Sequence, residues 1–76
     1  MKKKLIFSRH VLERMIQRNV SEGVVRETIE NPDHELPIQP DHTQEFKKTI
    51  NSEECYVVVE HRKNALKIIT AGWRNG

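Results

Sequence analysis

Residues 55–59 read CYVVV, a continuous run of apolar and β-branched residues in a chain of 76. Such a run predicts a central strand that is covered on both faces, because a strand with one wet face alternates apolar with polar residues. Polar stretches with the composition of turns bound the run, at 51–54 and at 62–64. The middle of the fold is therefore predicted to be a sheet whose strands are joined by tight turns.

Further strands are predicted on both sides of this run. Residues 65–73 close the chain as a last strand, and residues 46–50 alternate apolar with polar side chains. Residues 35–39 alternate in the same way, and Pro37 and Pro40 favour an edge strand, since proline has no N–H to donate. The sequence thus predicts three or four antiparallel strands.

Two helices are predicted before these strands. The first begins after the capping residue Ser8 and the second after Ser21, and Pro32 ends the second. Residues 5–7 form a short apolar run that is either an extra N-terminal strand or the lead-in to the first helix. The two apolar helix stripes consist of Val11, Leu12, Met15 and Ile16, and of Val24, Val25, Thr28 and Ile29.

The predicted fold class is therefore α+β, with two N-terminal helices packed on a three- to four-stranded antiparallel sheet in one domain, 1–76. A chain this short buries only about 60% of the surface that it exposes when unfolded, so its core is thin. A second copy of the chain or another protein would add to that core, and a homodimer is compatible with the sequence.

The charge is distributed unevenly along the chain. The formal net charge is only +2, but six basic residues lie among the first 18 and four among the last 15, while most acidic residues lie between them. If the two ends meet in space, the fold carries a basic face and an acidic face.

The single cysteine excludes an internal disulfide and favours a reducing, cytoplasmic location. No apolar run approaches the length of a membrane span.

Several kinds of chemistry have no support in the sequence. The four histidines lack the spacing of zinc ligands, and the three glycines are isolated, so there is no phosphate-binding loop. Cys55 has no signature of a nucleophile and is predicted to be a small core residue. The sequence accordingly predicts neither a metal site nor a cofactor.

A basic track on the first helix is the strongest functional signal. His10, Arg14 and Arg18 are four residues apart and so lie one above the other along the helix. The positive end of the helix dipole and the neighbouring guanidinium groups disfavour a protonated imidazole at position 10. A neutral imidazole beside arginines is what a metal-independent ribonuclease needs, because one moves a proton and the others bind phosphate. The alternative is a solvated helix face.

The last strand offers complementary groups. Thr70 is polar within an apolar run, and Trp73 and Arg74 end the strand with a base-stacking ring and a cation. The alternatives are that the threonine is an ordinary strand residue and that the tryptophan belongs to the core. We predict His10, Arg14 and Thr70 as catalytic residues. The predicted phosphate- or RNA-binding residues are Arg18, Trp73 and Arg74.

Residues 8–33 read SRHVLERMIQRNVSEGVVRETIENPD and resemble the opening of a family of small bacterial and phage-related proteins, domain-of-unknown-function family 4258. The sequence departs from the family pattern at Val11, where alanine is usual, and at Asn19, where glycine is usual. Asparagine tolerates the left-handed conformation that a glycine would supply. The matching positions are Ser8, His10, Arg14, Met15, Arg18, Ser21, Asn31–Pro32 and Ile69–Thr70.

This family in turn resembles the fold shared by RelE-like toxins, barnase, EndoU and the tRNA-cutting colicins. The resemblance implies a RelE-like layout of two helices on a four-stranded sheet, and ribonuclease activity. We predict a metal-independent RNA-cleaving or RNA-binding protein of toxin type, with RNA or the ribosome and a small antitoxin-like protein as partners. The alternative is a non-catalytic module that binds a protein or nucleic acid through its basic face or its strand edges.

Overall fold

Residues 3–75 are described by a computed structural model. Within them the two predicted helices precede most of the strands, which confirms the α+β class, and residues near the N-terminus form the extra strand. In chain order the elements are β1 (Lys4–Ile6), α1 (Arg9–Gln17), α2 (Glu22–Glu30), β2 (His34–Glu35), β3 (Thr43–Ile50), β4 (Glu53–His61) and β5 (Ala65–Asn75).

The strands form one mixed sheet in the order β1-β5-β4-β3-β2. The four strands β2 to β5 pair antiparallel, as predicted, and β4 lies at the centre. A fifth strand, β1, runs parallel to β5, with Lys4 opposite Ala65 and Ile6 opposite Lys67. Parallel neighbours need a long crossover, and here the whole chain between β1 and β5 provides it.

Both helices pack on the same face of the sheet, α1 against β5 and α2 against β3 and β4. The prediction that residues 55–59 are covered on both faces is wrong. Cys55, Val57 and Val59 are fully buried beneath the helices, but Tyr56 and Val58 are only half-buried on the opposite face, where residues 3–75 form no second helix layer. The buried apolar core consists of Val11, Met15, Val20, Val25, Phe46, Cys55, Val57, Val59, Leu66, Ile68 and Ala71.

The predicted caps begin both helices. The Ser8 hydroxyl accepts a hydrogen bond from the Val11 amide at 3.2 Å, and the Ser21 hydroxyl accepts one from the Val24 amide at 3.1 Å. Each bond satisfies one of the amides that a helix leaves unpaired in its first turn. Side-chain capping thus determines the residues at which α1 and α2 begin.

The turn between the helices contains a residue with a positive φ. Asn19 has a φ of 59°, which is the left-handed conformation that asparagine tolerates. The stripe of α1 is narrower than predicted, since Ile16 is 79% exposed. Ile16 is the next residue after the buried Met15, and its side chain points away from the core.

The edge strand is present but shorter than residues 35–39. β2 covers only His34 and Glu35, which pair with β3. Past this point the Leu36 amide still donates to the Glu45 carbonyl at 3.0 Å. Pro37 has no amide hydrogen to continue the ladder, so the chain leaves the sheet there as a loop.

The last strand contains an irregularity that positions the candidate site. Ile68 and Thr70 both pair with residues of β4, but Ile69 between them is an extra residue without a direct partner. Because of this β-bulge, Ile68 and Ala71 are both buried although they are three positions apart. The part of β5 that follows Ile69 therefore presents a different set of side chains to the helices.

Candidate functional site

The track of basic residues on α1 and the bulged part of β5 enclose a concavity of about 210 Å³, called here the His10 concavity. It lies where α1 packs on the last strand, beyond the short stretch of β5 that β1 covers. The residues that line it are His10, Val11, Arg14, Arg18, Ile69, Thr70 and Ala71.

Helix geometry places three of these residues. His10 lies in the first turn of α1, Arg14 one turn later and Arg18 at the C-cap. Val11 and Met15, on the neighbouring flank, are buried and hold α1 against the sheet. The basic track therefore lies beside the core at the junction with β5.

Arg18 is tied to the sheet by two hydrogen bonds. Its Nη1 donates to the Thr70 Oγ1 at 3.0 Å and to the Ala71 carbonyl at 3.1 Å. β1 pairs with residues 65–67 only, so this edge of β5 lacks a strand neighbour at Ala71 within the described residues. Arg18 thus satisfies a carbonyl at a strand edge and fixes both its own guanidinium and the Thr70 hydroxyl.

The structure brings together four of the six predicted site residues: His10, Arg14, Arg18 and Thr70 line the His10 concavity. Their placement together is a finding, while their chemical roles stay predictions. The remaining two predicted residues, Trp73 and Arg74, are not in the lining.

Trp73 and Arg74 are neighbours in β5 and therefore point to opposite faces of the sheet. The Trp73 ring packs against the core, and its Nε1 donates to the Asn19 carbonyl at 3.2 Å, just beyond the end of α1. Arg74 lies on the face without helices, where its Nη1 is 2.8 Å from a carboxylate oxygen of Glu45 and its Cζ lies 4.2 Å from the Tyr56 ring centroid.

The His10 concavity has a strongly one-sided charge. Arg14 and Arg18 contribute two guanidinium groups, and no carboxylate belongs to its lining. The nearest acidic residue along the helix, Glu13, is paired with Arg9 at 3.4 Å. A concave surface with this charge concentrates anions, and arginine binds phosphate oxygens in pairs through its planar fork.

Two further contributors to the His10 concavity carry no signal in the sequence. The Ala71 carbonyl anchors Arg18, and Ile69 forms one wall as the bulged residue, 41% exposed. A backbone carbonyl carries no side-chain signature, and an unpaired residue in a bulge looks like any other residue of an apolar strand. Only the pairing of β5 with β4 reveals both features.

Other chemistry is thinly represented in residues 3–75. No group of three or more histidine, cysteine, aspartate or glutamate residues is placed to hold a metal ion in this part of the chain. Cys55 is buried in the core, and burial raises the pKa of its thiol, against a smaller opposing effect of its hydrogen bond with Thr28. No helix of the described chain is long and apolar enough to cross a membrane.

Comparison with known proteins gives one match. The model of a family described as a domain of unknown function, DUF4258, matches residues 7–73, which include both helices and most of the sheet. The curated proteins and the solved structures contain no match to the chain. The relation to RelE-like toxins and other nucleases that the sequence suggested therefore stays a prediction.

Proposed function

We propose, from the premise that this chain belongs to the DUF4258 family through residues 7–73, that it is a metal-independent ribonuclease of toxin type. The family description assigns no activity, so the proposal depends on the site. The observation that carries it is the His10 concavity, where one imidazole shares a concave surface with two guanidinium groups and a strand hydroxyl.

His10 supplies the proton transfer in this proposal. An imidazole accepts a proton from an attacking hydroxyl and returns one to a leaving oxygen, at a pH where both forms are accessible. The side chain is exposed at the mouth of the His10 concavity, so a phosphodiester in solution can reach it. A single residue thus serves as base and then as acid.

The two arginines supply charge stabilisation in different ways. Both hydrogen bonds of the Arg18 side chain to described residues use Nη1, which leaves the other N–H groups of the fork to meet a phosphate. This guanidinium is preorganised, and a preorganised donor costs no rearrangement as charge develops. Arg14 is exposed and lies one turn closer to His10, where it binds the phosphate between the two.

Thr70 completes the proposed site from the strand side. Its Oγ1 accepts the Arg18 hydrogen bond, so its own hydroxyl hydrogen is directed elsewhere and can be donated to a phosphate oxygen. The half-buried ring of Trp73 lies next to the turn at Asn19 and offers part of its surface for stacking with a base. These features favour single-stranded RNA, free or within a ribosome, as the substrate.

The decisive experiment incubates the purified protein with single-stranded RNA in the presence of a metal chelator. We expect cleavage by the wild type and its loss in His10→Ala. His34→Ala is the matched control, because His34 is an exposed histidine on β2 at the opposite edge of the sheet. Equal cleavage by the wild type and His10→Ala would overturn the proposed mechanism.

A non-catalytic interaction module is the second candidate. It is favoured by the lining itself, which holds one imidazole and no second group that transfers protons readily, and by the exposure of the apolar residues Ile16 and Ile69. For this module, a salt titration of RNA binding distinguishes a nucleic-acid partner from a protein partner, because phosphate contacts weaken as counterions compete. Binding that ignores salt would indicate a protein partner.

Two cellular consequences belong to the same proposal. A toxin of this type acts in the cytoplasm, and a small antitoxin-like protein would inhibit it by covering the His10 concavity, or a second copy of the chain would do so in a homodimer. Expression in bacteria tests this directly. Growth arrest by the wild type that is absent with His10→Ala supports the ribonuclease. If the wild type leaves growth unaffected, the interaction module is favoured.

A further inference from the structure

A second concavity lies at the other end of the helix layer and shares no residue with the first. It has a volume of about 280 Å³ and is called here the His61 concavity. It is enclosed by the N-terminal segment, by one side of α2 and by the hairpin between β4 and β5. The residues that line it are Lys3, Leu5, Arg26, Ile29, Glu30, His61 and Leu66.

The floor of the His61 concavity is apolar. Leu5, Ile29 and Leu66 come from β1, α2 and β5, and all three pack on or belong to the hydrophobic core. A volume of this size is close to the lower end of small-molecule pockets, about 300 Å³, and exceeds the roughly 150 Å³ cavity that holds a benzene ring. The space therefore suits a compact apolar group.

His61 is held in one orientation at the wall. Its Nε2 is 2.6 Å from the Oε1 of Gln44, which is only 6% exposed, and the Gln44 Nε2 donates to the Leu36 carbonyl at 2.8 Å. That second bond fixes which amide atom is the oxygen. An amide oxygen only accepts, so the His61 Nε2 carries the hydrogen.

The other ring nitrogen of His61 is then an acceptor. The Lys3 Nζ lies 3.4 Å from His61 Nδ1 and is its donor. Burial, followed by the charges of Lys3 and His42, holds the pKa of His61 below its usual value, against an opposing effect of Glu35. The imidazole is accordingly neutral in the folded protein at neutral pH, and it positions the Lys3 ammonium at the mouth of the His61 concavity.

The charges of the lining select the ligand. Lys3 and Arg26 are cations, Glu30 is the one carboxylate, and His61 is neutral, so the lining carries one net positive charge. One excess positive charge above an apolar floor complements a monoanion with a hydrocarbon body. A doubly charged phosphate would meet the Glu30 carboxylate with a higher charge and would leave the floor uncovered.

We propose that the His61 concavity binds a small organic acid, with its carboxylate at Lys3 and Arg26 and a compact aliphatic or aromatic body on Leu5, Ile29 and Leu66. The ammonium and guanidinium groups donate charge-assisted hydrogen bonds to the carboxylate. The apolar body displaces water from the floor, which is favourable in proportion to the area covered. This binding is independent of the RNA cleavage proposed for the His10 concavity.

The test uses 4-methylpentanoate as the probe and its neutral amide as the matched isostere, with NMR shifts of the protein recorded at pH 7.5. We expect the acid to shift the methyl signals of Leu5, Ile29 and Leu66 in a saturable manner, and the amide to bind at least about tenfold more weakly, the change that accompanies loss of about 1.4 kcal/mol. Equal affinity for acid and amide would overturn the proposal.

Variants locate the carboxylate. Lys3→Met and Arg26→Met each remove one exposed cation of the His61 concavity, and we expect each to weaken binding about fivefold to tenfold with the fold intact. Arg14→Met removes a matched cation from the His10 concavity and is expected to leave the affinity unchanged. Weaker binding in Arg14→Met alone would place the acid in the His10 concavity and overturn the assignment.

One further pair of measurements keeps the two proposals separate. His10→Ala should bind 4-methylpentanoate like the wild type, and Lys3→Met should process RNA like the wild type. Loss of acid binding in His10→Ala would contradict the independence of the His61 concavity. If neither the wild type nor any variant cleaved RNA while acid binding was retained, only the proposed ribonuclease would be rejected.

Discussion

His10 and His61 are the same residue type at two concavities of one small fold, yet their surroundings differ in every respect. His10 is exposed on a helix, with arginines and a threonine around it. His61 is half-buried at the end of a strand, with both ring nitrogens within hydrogen-bonding distance of Gln44 or Lys3. The contrast teaches that a histidine suited to exchange protons with a substrate is one whose ring is not already committed to the protein.

Replacement of each histidine by alanine should give opposite results in the RNA assay. We expect cleavage to fall at least about a hundredfold in His10→Ala, since a positioned acid–base group contributes that much or more. His61→Ala should stay within about twofold of the wild type when both are folded. Comparable losses in the two variants would remove the distinction between them.

The order of the two variants should be reversed when stability is measured by urea unfolding, with the larger loss in His61→Ala. His61→Ala leaves the Oε1 of nearly buried Gln44 without its ring donor, which costs about 1–3 kcal/mol. His10→Ala removes an exposed side chain and should change the free energy of unfolding by less than about 0.5 kcal/mol. An unstable His10→Ala would show that this residue has a structural role.

A smaller difference is expected between the two arginines of the His10 concavity. Arg18→Met loses the hydrogen bonds to Thr70 and Ala71, so we expect its free energy of unfolding to drop by about 1 kcal/mol. Arg14→Met should unfold like the wild type within about 0.5 kcal/mol. Thermal and urea unfolding measure the difference, and equal stability of the two variants would mean that the Arg18 bonds contribute little.

The smallest expected effect is the dependence of stability on pH. Because the pKa of His61 is lower in the folded chain than its ordinary value of 6.5, the unfolded chain takes up a proton first as the pH falls through that value. Stability is therefore complete above this pH and decreases below it, until folded His61 is also protonated. Urea unfolding at pH 7.5 and pH 5.5 should show the loss, and His61→Gln should reduce it.

Much of the fold followed from local signals in the sequence. The capping serines and the alternation in β3 depend on neighbouring residues only, and each was predicted. The interpretation of residues 55–59 failed because a run of β-branched residues does not reveal how many faces of a strand are covered. Tyr56 and Val58 lie on the face without helices.

The residues of the candidate site likewise differ in whether local sequence spacing reveals them. His10, Arg14 and Arg18 came from the spacing of one helix, which the sequence shows directly. Arg74 was assigned to the same site from its position at the strand end, but four strand residues of about 3.3 Å each separate it from Thr70, and it pairs with Glu45 instead. His61 was one of four histidines without a pattern, since Lys3 and Gln44 are distant from it in the sequence.

The bulge at Ile69 has a consequence for how this fold tolerates changes in length. Strand side chains alternate with a period of two, and Ile69 is the residue without a partner, so its removal would leave Thr70 and Ala71 opposite Val58 and Val57 as before. Removal of a paired residue elsewhere in β5 would instead reverse the phase of every side chain that follows it. A residue added to the loop 36–42 would merely lengthen a connection. Natural insertions and deletions should accordingly be absorbed before β3 and at the bulge, and rejected elsewhere within β5.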